Sequence, residues 1–154
     1  MTVLDPKTKW GWNKRAMDVW LSHYPHVQWI NSSSKSPAAE VICHKEGLLV
    51  GAGFLVSIES CRSDQFEEYF HNQMGIDFKK LIDGYDMAST LKVPLIFFIY
   101  FEDDNSLMNL TIWRPKNGFT TDFWSSPKDS DHKQIEASET IIMIDCSIAP
   151  LLRG

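Results

Sequence analysis

Apolar and polar positions change period several times along the chain, and each change marks an element. Trp10, Met17, Trp20, Leu21 and Tyr24 recur at roughly helical spacing behind Asp5 and Pro6, a capping residue followed by proline at a first helical position. This predicts a helix over residues 6–22, weakened by Gly11 and closed by the Tyr24-Pro25 step. A short strand over 27–30 follows, then the polar loop NSSSKSP. Residues 38–44 are a short apolar stretch, Lys45-Glu46-Gly47 supplies a turn, and 48–58 is a nearly continuous apolar run. The two stretches predict a hairpin whose second arm is buried on both faces. Gly51 and Gly53 inside that arm predict a bulge or a close backbone approach.

The second half carries a clearer helix. Ser63-Asp64 caps a short helix reaching Gln73. Ile76, Phe78, Leu81, Ile82, Tyr85, Ala88 and Leu91 then form one apolar face, which predicts a helix over 77–91 ended by Lys92-Val93-Pro94. Residues 93–101, VPLIFFIYF, have the length and the β-branched and aromatic content of a central strand. An acidic turn at Glu102-Asp103-Asp104 leads to an antiparallel return over 107–113, stopped by Pro115. Residues 116–138 read as a long polar excursion, a length that calls for a functional reason. Residues 140–144 are a last strand, and IAPLLRG leads the chain out. The expectation is an α/β (α+β) chain, one domain over 1–154, with a mixed central sheet flanked by helices and no internal repeat.

Composition narrows the class. The chain has 154 residues, is 44% hydrophobic and 23% charged, and has a net charge of -5. That suits one globular domain and gives no overall electrostatic footprint for nucleic acid, although Lys7, Lys9, Lys14 and Arg15 cluster near the start. Cys43, Cys61 and Cys146 are an odd set without metal-ligand spacing, which predicts three reduced thiols in a cytoplasmic protein. The N-terminus lacks the apolar core of a signal peptide, and no apolar run is long enough to cross a bilayer. Five scattered histidines show no metal spacing. Trp12 and Trp124 fit no element pattern, and base stacking or a partner surface stands beside core packing for both.

Two acids fall at informative places. Glu40 begins the first hairpin arm and Glu59 ends the second, so antiparallel pairing predicts that they share one edge of the sheet. Two carboxylates there would suit Mg²⁺ or Mn²⁺, which in turn could activate water against a phosphodiester.

Here the sequence resembles the PD-(D/E)XK, or restriction-endonuclease-like, nuclease superfamily, and above all its small phage and prokaryotic members. The resemblance rests on AEVICHKEG, FLVSIESCR, IDFKKLIDGYDMASTLKVPLIFFIYFED and the closing IIMIDCSIAPLL. It implies an αβββαβ core, a divalent metal held by Glu40 and Glu59, and hydrolysis of DNA. Cys61 stands where the Glu-x-Lys lysine belongs, and a thiol carries no positive charge in either protonation state. Lys79 or Lys80 on the following helix, or less readily Arg62, would have to substitute. Arg62 and Arg114 are candidate phosphate contacts.

Two functions therefore stay open, beside a third case in which the chain is a purely structural phage or mobile-element protein of another α/β fold. One is a metal-dependent nuclease, with DNA as partner and a homodimer as one way to cut both strands. The other is a catalytically inactive interaction or inhibitor module with a protein partner.

Overall fold

A computed structural model describes residues 6–31, 41–119, 124–125 and 141–154. Its frame is a mixed sheet carrying helices on both faces. The first element is strand β1, Lys7–Trp10, and helix α1 starts only at Lys14–His23. The expected helix over 6–22 is thus shorter. Gly11 takes φ +123°, outside helical space, and its N–H donates to the Leu55 carbonyl at 2.9 Å. Asn13 is the cap, accepting from the N–H groups of Arg15 at 2.9 Å and Ala16 at 3.4 Å. The cap expected at Asp5 lies outside the described residues. Asn13 Nδ2 also donates to the buried Ser57 hydroxyl at 2.9 Å, tying the start of α1 to the sheet.

Strands β2 (Gln28–Asn31), β3 (Val41–Lys45) and β4 (Leu48–Glu59) form an antiparallel meander. A 3-10 turn at Ser63–Gln65 and a short helix α2 at Phe66–Phe70 follow. Strand β5, Gln73–Asp77, precedes helix α3, Phe78–Leu91. The apolar Ile76, read above as helical, belongs to β5. Helix α3 ends where Lys92 turns left-handed (φ 58°), its N–H bonded to the Ala88 and Ser89 carbonyls.

The chain re-enters the sheet as β6, Leu95–Phe101, parallel to β4 over Ala52–Ile58. It returns antiparallel as β7, Ser106–Arg114, with the short β8 at Gly118–Phe119 beside it. The excursion expected over 116–138 also contains β9, Trp124–Ser125; its residues 120–123 and 126–138 lie outside the description. Strand β10, Ile141–Asp145, pairs with β5 and β9 in a second, three-stranded sheet. The chain does not simply lead out after it, because Leu151–Arg153 adds strand β11 to β7. The main sheet runs β11-β7-β6-β4-β3-β2, with β1 on β4.

Strand alternation divides the core. Ala52, Phe54, Val56 and Ile58 of β4 face α3, the small sheet and Leu95, Phe97, Ile99 and Phe101. Leu55 faces the other way, with Phe98 and Tyr100, toward Ala16, Val19 and Trp20 of α1. Where β4 and β6 pair, over Ala52–Ile58 and Leu95–Phe101, both are covered on both faces, but Leu48, Leu49 and Val50, at the start of the run expected to be buried, are exposed.

Gly53 is needed for backbone approach. A Cβ there would meet the Ile96 carbonyl oxygen and lie 3.0 Å from the Phe98 ring, whereas at Gly51 it would meet only the flexible end of Ile96, at 3.2 Å. Gly53→Ala is expected to cost about 3 kcal/mol by overpacking, and Gly51→Ala distinctly less. Urea unfolding of both variants against the parent measures the difference.

Candidate functional site

The carboxyl ends of the parallel strands β4 and β6 bring the charged groups together. The Glu102 N–H, just past β6, donates to the Ile58 carbonyl at 3.1 Å, so Glu59 and Glu102 end neighbouring strands. On the other side of β4, β1 places Lys7 opposite Glu59 and Lys9 opposite Ser57. Residues directly opposite in an antiparallel pair share a face, so both lysines stand on the Glu59 side of the sheet. Lys9 Nζ lies 2.5 Å from Glu59 Oε1 in a largely exposed ion pair. The hydrogen bond from Lys9, then its charge, lowers the Glu59 pKa, with Lys7 adding to this. The Lys9 pKa is raised by the same bond and charge, with a smaller contribution from Glu102.

Glu40 lies outside the described residues. Val41 is level with Gly53, so β4 runs on from Phe54 to Glu59 beyond the start of β3, about 20 Å at ~3.3 Å per residue. Val41, the first residue of β3, and Glu59, the last of β4, are therefore not level. Strand β1 occupies that extra length instead.

Nor does Lys80 of α3 lie beside Glu59. Lys80 Nζ sits 4.9 Å from the Trp10 ring centroid and 5.8 Å from that of Phe54. Trp10 is opposite Val56, and Val56 and Phe54 belong to the α3 face. Lys80 is therefore across the sheet from Glu59. Lys79, next to it, is exposed on the same helix.

Cys61 is fully buried in the α3-side core. Ser60 at φ 62° breaks the strand, so residues 59 and 61 no longer share a face. Its thiol donates to the Arg62 carbonyl at 3.3 Å. Burial first, then the charges of Asp103, Asp104 and Asp64, push its pKa up to about 11. Such a thiol is neither a cation nor a ready nucleophile. Arg62 is exposed and paired with Asp64, Nε to Oδ1 at 3.1 Å. Asp104 is held by Ser63, whose N–H and hydroxyl donate to Oδ2 at 3.1 and 2.6 Å.

Arg114 lies at the far end of the strands. Trp113 is level with Leu95, the first residue of β6, whereas Glu59 lies past Ile58, which is level with Phe101, the last. Trp12 is half-buried against the α1-side core, and the Trp124 side chain lies outside the description. Among the described residues no three His, Cys, Asp or Glu side chains converge as a metal site requires, and no helix is long and apolar enough to cross a membrane. Compared with family models, with curated proteins and with solved structures, the chain matches none.

The residues missed from the sequence are Lys9 and Glu102. Lys9 falls in a basic cluster and within a helical-looking spacing, which conceal its pairing with β4. Glu102 reads as a turn acid until the parallel register sets it beside Glu59.

Two outcomes follow. Glu59 has a lowered folded pKa, so its contribution to stability is present above the ordinary glutamate pKa and is lost as pH falls through the lowered one. A carboxyl-carbon NMR titration should find Glu59 below its ordinary value in the parent and close to it in Lys9→Met. Separately, burial holds the pKa of Cys43 and Cys146 up at about 12 and that of Cys61 at about 11. A thiol-disulfide reagent at pH 8 should leave the native thiols essentially unmodified and label all three in urea.

Proposed function

We propose that this chain is a non-catalytic binding module on a nuclease-like frame, working in a reducing cytoplasmic compartment. The nuclease-like frame draws support from the order helix α1, strands β2 to β4, helix α3, strand β6, with β6 parallel to β4 and with β1, α2 and β5 as additions to it. The observation carrying the proposal is the separation of charges across the sheet. Glu59 is paired with Lys9 on the α1 face, while Lys80 packs on Trp10 and Phe54 on the α3 face. A metal-dependent nuclease needs its acids and its lysine around one phosphate. Cys61, where that lysine would stand, is buried and uncharged.

One observation favours an active enzyme instead. Glu59, Glu102 and Lys9 gather at the carboxyl ends of two parallel strands, the side of open α/β sheets where ligands bind. The decisive experiment is therefore aimed at them. Plasmid and single-stranded DNA are incubated with the protein and Mg²⁺ or Mn²⁺, and metal binding is followed by calorimetry. The expected result is no cutting and no metal heat, identical in the parent, Glu59→Ala and Glu102→Ala. Metal-dependent cutting that disappears in Glu59→Ala overturns the proposal.

A further inference from the structure

At the end of the sheet opposite Glu59, the C-terminus of α3, the start of β6 and the end of β7 enclose an open groove of about 760 Å³. Pro94, Trp113 and Pro115 line it with apolar surface, and Lys92, Arg114 and Lys116 line it with charge. No acidic residue is among those lining it, and none of the three cations makes an ion pair among the described residues. Lys92, at the left-handed cap, offsets the negative end of the α3 dipole. Among the described residues Arg114 and Lys116 have no such counterweight. The groove is lined, among the described residues, by cations without an acid, in a chain whose net charge is -5.

The lining chooses between anionic occupants. A nucleic-acid strand wants aromatic faces on which bases stack. Here Tyr85 stands edge-on to Trp113 at 5.3 Å and 89°, and Phe119 lies on Tyr85 at 5.3 Å. Trp113, the aromatic residue among those lining the groove, is buried and met edge-on by Tyr85, so it offers no open face to a base; Phe119 is exposed but is not among the lining residues. An apolar floor with a cationic rim instead matches a peptide that buries a bulky apolar side chain and meets the rim with carboxylates.

We infer that this groove docks an acidic peptide segment of a partner protein, anchored by a large apolar side chain. The inference rests on the binding-module proposal and supplies the chemistry of its partner.

The test uses the full chain and a fluorescein-labelled peptide in which aspartates alternate with leucine and phenylalanine, read by anisotropy. A polyaspartate peptide of equal length and an oligothymidylate are the comparisons. The alternating peptide should bind best and weaken with added salt. Arg114→Glu and Lys116→Glu, both at exposed positions, should each lower its affinity by roughly tenfold or more. Circular dichroism of each variant should match the parent. Tighter binding of oligothymidylate, equal binding of polyaspartate, an unchanged affinity in both variants, or no peptide binding overturns the inference. The DNA-cutting assay separates the two levels: absent cutting with no peptide binding removes this inference alone, whereas metal-dependent cutting removes the binding-module proposal as well.

Discussion

Strands β4 and β6 lie side by side over Ala52–Ile58 and Leu95–Phe101, and almost every side chain in that pairing is buried. Two strands covered on both faces have no freedom to slip, because a shift of one residue would exchange the sets facing α1 and α3. Gly53 tightens the constraint by letting the two backbones approach where any Cβ would strike the Ile96 carbonyl. Everything charged at the strand ends inherits this fixed alternation. Glu59 continues the Leu55 and Ser57 series and so belongs to the α1 face, whatever the surrounding loops do. Lys80 stands over Phe54, of the opposite series. Whether acid and lysine can cooperate is decided by strand parity.

Much of the frame is legible in the sequence because long apolar runs have few alternatives. The run over 93–101 and its return have length and composition that only a buried strand pair accommodates. The predicted helix over 77–91 agrees closely with α3, since its apolar face repeats cleanly. The expected α/β class with a mixed, helix-flanked sheet is what the structure shows. Failures came where tertiary pairing overrode a local signal. Residues 7–10 carry a helical-looking spacing, yet β4 is longer than β3 and leaves a free edge that β1 fills. Residues 73–77 are similar. Ile76 fits the helical face of α3 by period, but β10 claims it as a strand.

The charged site was less legible than the frame, for a related reason. Sequence shows that Glu59 ends a strand, but not how far its hairpin partner extends. The level of Val41 against Gly53 is set by the turn at Lys45–Leu48 and by the irregularity between Cys43 and His44. Nothing local announces that offset. Ser60 adds another: one left-handed residue reverses the alternation and sends Cys61 into the core rather than alongside Glu59. A motif counted in residues assumes an unbroken strand, and here the strand breaks inside the motif.

The same sheet sorts charge along its length. Glu59, Glu102, Asp103 and Asp104 collect at the carboxyl ends of β4 and β6, moderated by Lys7 and Lys9 from β1. Lys92, Arg114 and Lys116 collect at the other end, where β6 begins and β7 finishes. With exposed charges, the energy of any single pair is small and salt-screened. The summed separation still orients an approaching charged partner before contact is made. Among the described residues, the two ends of the sheet therefore differ in the sign of their charge. That difference comes from the topology, because parallel β4 and β6 present like ends together while antiparallel β7 carries Arg114 back to the opposite one.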